Sequence, residues 1–399
     1  MNYEKKTVRD VDVTGKKVLL RCDFNVPHDK KTGVIQDDTR IRSTLPTIRY
    51  LLEQGAAIIL TSHMGRPHGQ WKQENSLFSA REHLEKLLGV PVGLTEDVLG
   101  PDTKKKCAEL KPGQVLLVEN LRFRPEEEKN DPAFAKELAD LADLFVFDAF
   151  GCAHRAHAST AGVADYLPAV AGFLVEKELA FMGKALDEDI RRPLVAILGG
   201  AKVADKIGVI KSLLQKADTI IIGGGMAYTF QAAAGGNIGH SLLDESHVIY
   251  AREAMEQAKA NGVQFLLPED TVAAKEFSAE AEPFLVPTGD IPDGLMGMDI
   301  GPKAVARFTE AMQGAGTIFW NGPMGVFEFP TFAAGTNAIA EAMAKLTDTV
   351  TIIGGGDSVS AVEKAGVSAK ISHISTGGGA SLELLEGLEL PGIACLADK

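Results

Sequence analysis

Apolar residues come along this chain in short blocks, and nearly every block ends in polar residues or glycine. In the first half, the blocks at 17–20, 56–61, 115–118 and 144–147 have the length and continuity of strands buried on both faces. Between them the apolar spacing turns helical. It predicts a helix over 42–54 with Gly55 as its stop, a second over 79–88 with Leu84, Leu87 and Leu88 inward and Gly89 closing it, and a third over 132–143. The third opens with Asp131 as N-cap and Pro132 at the first helical position. The second half repeats one grammar. Its apolar runs end in Gly199-Gly200, Gly223-Gly224-Gly225, Pro268-Glu269-Asp270, Asn321-Gly322-Pro323, Gly354-Gly355-Gly356-Asp357 and Gly377-Gly378-Gly379. Between the halves, 172–187 has helical apolar spacing and no adjoining strand, which makes it the candidate interdomain helix.

Strands alternating with helices argue for mainly parallel sheets, because parallel neighbours need crossover connections. The expected fold is α/β: two doubly wound, mainly parallel-sheet domains of similar size joined by a helix. The expected boundaries are 1–171, a helix or hinge at 172–187, and 188–392. A length of 399 residues agrees with two domains of roughly 100 to 200 residues.

In such sheets ligands bind beyond the C-terminal strand edge. Asp23, Asn25, Arg40, His63, Arg66, Arg122 and Arg155 all stand at or just after such edges, so one surface can collect them. Converging arginines point to a small, highly charged anion, since the guanidinium fork matches phosphate and carboxylate. In 194–210, five apolar residues read as a strand, Gly199 and Gly200 as a tight turn, and Lys202 onward as a helix with Val203, Ile207 and Ile210 on one face. A helix opening with glycines offers unpaired N–H groups to an anion. Lys202 and Lys206, four apart, share a face of its first turns. Cations there oppose the macrodipole by a few tenths of a kcal/mol, which a bound polyanion reverses. Asp357, before an expected helix at 358–365, reads either as a ligand for nucleotide-borne Mg²⁺ or as a plain N-cap. Glu328 reads as an acceptor for ribose hydroxyls or as a loop acid.

Composition removes several classes. The formal net charge of −13 counts against a nucleic-acid partner, so any anion must be held by a local basic cluster. No apolar run approaches the roughly 20 residues of a membrane span, and the N-terminus lacks an apolar signal core, so a cytoplasmic location is expected. Cys22, Cys107, Cys152 and Cys395 are scattered, without the spacing of a metal cage. No Gly-x-Gly-x-x-Gly is completed and no Gly-x-x-x-x-Gly-Lys-Ser/Thr occurs, which sets aside a dinucleotide fingerprint and a P-loop. His154-Arg155 is followed by alanine, so the protein-kinase catalytic loop is missing too.

Together, the motifs resemble the phosphoglycerate kinase family. The resemblance is carried by Arg-Cys-Asp-Phe-Asn-Val-Pro at 21–27, Ser-His-Met-Gly-Arg-Pro at 62–67, Glu-Asn-Leu-Arg-Phe at 119–123 and Asp-Ala-Phe-Gly-Cys-Ala-His-Arg-Ala-His-Ala-Ser at 148–159. It continues through Gly-Gly-Ala-Lys-Val-Ala-Asp-Lys at 199–206, Trp-Asn-Gly-Pro-Met-Gly-Val-Phe-Glu at 320–328, Gly-Gly-Gly-Asp at 354–357 and Ser-Thr-Gly-Gly-Gly-Ala-Ser at 375–381. These blocks run in family order over essentially the whole chain.

The resemblance implies reversible phosphoryl transfer from 1,3-bisphosphoglycerate to ADP with Mg²⁺, giving 3-phosphoglycerate and ATP. It implies an N-terminal domain holding phosphoglycerate through Asp23, Asn25, Arg40, His63, Arg66, Arg122 and Arg155. The nucleotide would be held through Gly199, Lys202, Lys206, Asn321, Glu328, Gly354, Gly355, Gly356 and Asp357, with Asp357 on the Mg²⁺. Arg40 and Lys206 would flank the transferring group. It further implies a monomer, and a tail, 393–399, packed back on the first domain. Sites on separate domains imply closure about 172–187. The chemistry agrees, because the reverse-direction acceptor is a carboxylate with a pKa of roughly 3.5, already ionised. What transfer needs is in-line positioning and charge compensation. Two rivals are weaker. A nicotinamide-dependent dehydrogenase lacks its third glycine, and a two-lobed anion-binding module accounts neither for the Lys202/Lys206 pair nor for the missing signal peptide.

Overall fold

Continuous apolar runs become parallel strands, and the computed structural model describes them within residues 2–183 and 190–399. Contacts divide the chain into two units, residues 2–180 with Glu389–Lys399, and Phe181–Leu388.

In the first unit the strands are β1 Lys17–Cys22, β2 Ala57–Thr61, β3 Val92–Leu94, β4 Val115–Leu117, β5 Leu144–Asp148 and β6 Ala169–Ala171. They form one parallel sheet in the order β3-β4-β2-β1-β5-β6. β2 and β5 are buried at every position and β1 at all but its first, as sheets covered on both faces require. Strand order reverses at β1, whose neighbours are β2 and β5. A crevice at the carboxyl ends is expected there, and the register Arg21↔Thr61 and Cys22↔Asp148 brings the three strand ends level.

The flanking helices follow the expected pattern with shifted ends. The helix Phe78–Leu88 is closed by Gly89 at φ 72°. Asp131 accepts from the Phe134 N–H at 3.0 Å to cap Pro132–Ala139. That helix stops four residues short of the expected 143, because Asp143 is drawn off to the sheet. Its N–H donates to the Lys17 carbonyl at 2.8 Å and its Oδ2 accepts from the Lys17 N–H at 2.9 Å. The first helix begins at Thr39 rather than 42, which places Arg40 in its opening turn. The three-residue strands β3 and β6 and the helix Pro101–Glu109 carry no long apolar run, so their existence depends on tertiary pairing. Of the helix expected over 172–187, Phe173–Glu178 is α-helical and Leu179–Gly183 is a π-helix, and 184–187 lie outside the described residues. The C-terminal segment joins this unit through Gly392 N–H to the Ala153 carbonyl at 2.9 Å and Ala397 N–H to the Ala169 carbonyl at 3.0 Å.

In the second unit the strands are β7 Leu194–Leu198, β8 Thr219–Ile222, β9 Asn237–Ile238, β10 Gln264–Leu266, β11 Asp270–Ala274, β12 Phe284–Pro287, β13 Asp290–Ile291, β14 Met296–Ile300, β15 Thr317–Asn321, β16 Val350–Gly354 and β17 His373–Ile374. A parallel six-stranded sheet has the order β10-β8-β7-β15-β16-β17. Its strands are the six whose glycine or proline endings mark the second half of the sequence. A three-stranded antiparallel sheet, β12-β11-β14, and a β13-β9 pair are additional. β12 is apolar in sequence, Phe284-Leu285-Val286-Pro287, but only four residues long and preceded by Pro283, and it alternates half-buried and exposed positions, so the run does not announce a core strand.

One local expectation is corrected here. The helix after β7 does not start at Lys202. A 3-10 turn at Ala204–Lys206 precedes an α-helix of Ile207–Leu213, and the Ala204 N–H is taken by Asp244 Oδ2 at 3.1 Å. Lys202 and Lys206 therefore do not share an α-helical face.

Candidate active site

In the first unit the carboxyl ends of β1, β2, β4 and β5 supply a connected polar cluster. Asp23 follows β1. Its Oδ2 accepts from Arg40 Nη1 at 2.9 Å and its Oδ1 from the Asn25 N–H at 3.1 Å. The same Arg40 nitrogen donates to the Asn25 carbonyl at 3.0 Å. Asn25 Oδ1 accepts from the Gly65 N–H at 2.8 Å, and the Gly65 carbonyl accepts from Arg122 Nη1 at 2.9 Å. Asn120 ties the β4 end to the β2 end: its Nδ2 donates to the Met64 carbonyl at 2.8 Å and its Oδ1 accepts from the Arg122 N–H at 3.0 Å. Arg155 rests on His154, Nε to Nε2 at 3.3 Å, and Arg66 is exposed without an ion pair among the described residues.

Cationic charge dominates this cluster. Burial and then the guanidinium groups of Arg21, Arg122, Arg155 and Arg40 drive the His63 imidazole well below its usual range, so it is neutral at pH 7. His157 falls to about 4 by burial and by Arg122, Arg21 and Arg155. Asp23, His63 and Cys152 bring ligand-type atoms within 4.8 Å of one another. They make a poor metal site. Asp23 is engaged by Arg40, burial lifts the Cys152 thiol to about 11, and the surrounding guanidinium groups repel a cation. The cluster is suited to an anion.

In the second unit two adjoining pockets lie beyond the strand ends. The more polar one, of about 400 Å³, is lined by Gly199, Lys202, Lys206, Asn321, Gly355, Gly356 and Asp357, among others. The helix Gly356–Lys364 opens into it, with Gly355 at φ +91° as N-cap, so peptide N–H groups face the space. Lys206 is 9% exposed and donates through Nζ to Asn321 Oδ1. Burial lowers its pKa, against the attraction of Asp205, Asp357 and Glu386. The second pocket, of about 430 Å³, is mainly apolar, with Tyr228, Leu242, Phe277, Met296 and Val326 on its walls and Glu328 at its edge. Gly200, Ala201, Pro323 and Asp357 border both. An apolar slot leading into a cationic, N–H-lined one is shaped for a nucleotide, the base in the first and phosphates in the second.

Residues 8–388 match the family model described as phosphoglycerate kinase. The chain is 56% identical over 395 residues to the phosphoglycerate kinase of Moorella thermoacetica, covering 99% of this chain and 100% of that one. It is 56% identical over 402 residues to that of Clostridium novyi, with both chains fully covered. The chain belongs to the phosphoglycerate kinase family. Solved structures agree. That of phosphoglycerate kinase from Coxiella burnetii matches with a TM-score of 0.90 at 41% identity, and that from Pyrococcus horikoshii with 0.81 at 32%, each covering 98% of both chains. As a phosphoglycerate kinase family member, the chain is a phosphotransferase with a carboxyl acceptor that moves a phosphoryl group reversibly between 1,3-bisphosphoglycerate and ADP.

Against this phosphoglycerate kinase background, the structure gathers Asp23, Asn25, Arg40, His63, Arg122 and Arg155 around one strand edge, with Arg66 beside them in the chain after Gly65. Gly199, Lys202, Lys206, Asn321, Gly355, Gly356 and Asp357 share the polar pocket, and Glu328 lines only the apolar one. Gly354 ends β16 opposite Asn321 and lines neither pocket. Sequence reasoning missed Arg21, Ser159 and Glu127, which are buried beneath the arginines. Arg21 stands within the motif at 21–27 and could have been found there. Glu127 sits in an acidic run, 126–128, that reads as solvated charge. The apolar pocket walls come from scattered segments and leave no local signal.

Proposed function

We propose that the two clusters divide the family reaction between them. Phosphoglycerate is held in the first unit by Asp23, Asn25, Arg40, His63, Arg66, Arg122 and Arg155. The nucleotide is held in the second by Gly199, Lys202, Lys206, Asn321, Glu328, Gly355, Gly356 and Asp357, with Gly354 ending the strand that delivers the last three to the pocket. The observation that carries this reading is the buried Lys206 ammonium in a pocket onto which a glycine-opened helix also points its N–H groups.

The chemistry asks little of these residues beyond placement and charge. A carboxylate acceptor is ionised at neutral pH and needs no general base. Arg40 and Lys206 flank the transferring group and offset negative charge on its equatorial oxygens as the bond exchange proceeds in line. Helix N–H groups stabilise the nucleotide phosphates without having to reorganise. Asp357 suits a hard divalent cation: an exposed first-turn carboxylate with no hydrogen bond among the described residues, where the two pockets join. Mg²⁺ binds through one or two carboxylates together with phosphate oxygens, and when bound it neutralises phosphate charge. Because the clusters belong to different units, turnover requires closure about 172–187, which also shields the acyl phosphate from water. The enzyme is proposed to act as a cytoplasmic monomer without nucleic-acid or membrane partners. Among the described residues no helix is long and apolar enough to cross a membrane.

Isothermal titration calorimetry tests the division. Arg122→Ala is expected to weaken 3-phosphoglycerate binding by about 10- to 100-fold and leave MgADP binding within about twofold, as loss of a charge-assisted donor implies. Asp357→Ala should do the reverse. Equal effects of either substitution on both ligands would contradict the assignment.

A further inference from the structure

Arg21 differs from the other arginines of the first unit in being 1% exposed and engaged at every nitrogen. Nε donates to Ser159 Oγ at 2.8 Å, Nη1 to the Cys22 carbonyl, and Nη2 approaches His63 Nδ1 at 3.2 Å and Cys152 Sγ at 4.0 Å. Ser159 continues the chain, its hydroxyl donating to Glu127 Oε1 at 2.5 Å and its N–H to Glu127 Oε2 at 3.0 Å. Four groups from four segments, Glu127, Ser159, Arg21 and His63, thus form one buried line.

The direction of every bond in that line follows from chemistry. A guanidinium has five donors and no acceptor, so the hydrogen between Arg21 and His63 belongs to Arg21 and Nδ1 supplies the lone pair. A serine hydroxyl has one hydrogen. Accepting from Arg21, it gives that hydrogen to Glu127, whose carboxylate balances the buried cation. Nδ1 then carries no proton, and the imidazole keeps its single hydrogen on Nε2, which takes no partner among the described residues. An imidazolium, or the opposite tautomer, would set N–H against N–H inside the protein.

We infer that Glu127, Ser159 and Arg21 are positioning residues that hold His63 as the neutral Nε2–H tautomer, so that the imidazole presents the phosphoglycerate site with one uncharged donor of fixed direction. The inference rests on the reading of His63 as a phosphoglycerate contact. The opposite tautomer would turn a lone pair toward an anionic oxygen. The surrounding cations and the burial of His63 act in the same direction, against a second proton.

Long-range ¹H–¹⁵N correlation spectra of the imidazole rings test it in the free enzyme at neutral pH, with His63 assigned by loss of its signals in His63→Gln. The wild-type protein should show a lone-pair-bearing Nδ1 and a protonated Nε2. Arg21→Met, and more mildly Ser159→Ala, should mix the tautomers. Each should raise the KM for 3-phosphoglycerate, by about tenfold or more in Arg21→Met, with the KM for ATP within about twofold. A protonated Nδ1 in the wild type overturns the inference whether or not either variant folds. So does an unchanged Nε2–H tautomer in a folded variant. A mixed tautomer with an unchanged phosphoglycerate KM overturns it as well, by removing His63 from the substrate contacts, and the spectrum tells that failure from failure of the relay.

Discussion

Lys206 keeps a cation where its surroundings work against one. Its ammonium is buried, burial lowers its pKa, and its hydrogen bond goes to a neutral amide oxygen, Asn321 Oδ1. Such a charge is costly without a ligand and effective with one, since a preorganised donor in a dry pocket stabilises developing charge strongly. Lys206→Ala is expected to lower kcat by about two to three orders of magnitude. Steady-state kinetics showing a tenfold loss or less would remove it from the reacting centre. At this scale the charged residues of the strand-end motifs were the legible ones. Arg122 follows an apolar run by four residues and Lys206 follows a strand and its glycine turn, places where a charged side chain has few structural reasons to be, and Arg40 was legible through the family resemblance. Arg21 and Glu127 did not, because a buried ion-compensating network looks in sequence like ordinary charge until the fold encloses it.

At the scale of elements, the close approach of two strand ends sets the polar pocket. Gly199 follows β7 and Gly322 follows β15, and the Gly199 N–H donates to the Asn321 carbonyl at 2.9 Å. Gly322 stands at φ +94°, and a Cβ on it would collide with the Gly199 backbone. Gly322→Ala should cost about 3 kcal/mol or more, from a strained backbone plus a clash that no flexible side chain can relieve. An unchanged urea midpoint would show that the turn relaxes freely. In the first unit the end of β5 offers a pH test. Asp148 is fully buried and accepts from the Leu174 and Val175 N–H groups at 2.9 and 3.2 Å, and Gly172 lies so close that a Cβ there would strike it. Burial raises its carboxyl from 3.8 to about 7. The folded chain therefore binds that proton more tightly than the unfolded one. The stabilisation is complete below about pH 4 and is lost as pH rises through 7, a change of about 4 kcal/mol at most. Asp148→Asn copies the protonated form, so its Tm relative to wild type should climb between pH 5 and pH 8, and a constant difference would refute the assignment. Long apolar runs made β1, β2, β5, β7, β8, β15 and β16 readable. β3, β6 and the antiparallel β12-β11-β14 were not: β3 and β6 have three residues each, β11 and β14 mix polar residues or glycine into their runs, and the short β12 is half exposed, so all owe their conformation to their partners.

For the whole molecule, parallel strands with helical crossovers are legible from alternation alone, whereas the sheet order is not, because it depends on which buried faces meet. The reversal at β1 and the level strand ends turned residues 100 or more positions apart into one cluster, and only the motifs hinted at that. The proposed closure belongs to this scale too. Small-angle X-ray scattering is expected to show a smaller radius of gyration with 3-phosphoglycerate and a MgATP analogue together than with either alone, and an unchanged radius would count against hinge motion about 172–187. The central claim is that an arginine cluster in one unit and a lysine-bearing, N–H-lined pocket in the other exchange a phosphoryl group. Its most direct measurement is ATP formed from 1,3-bisphosphoglycerate and MgADP by the wild-type chain and by folded Arg40→Ala and Lys206→Ala variants. The expected result is rapid ATP formation by the wild type and turnover lower by about 100-fold or more in each variant. Wild-type turnover in both variants, or no ATP from the wild type, would contradict it.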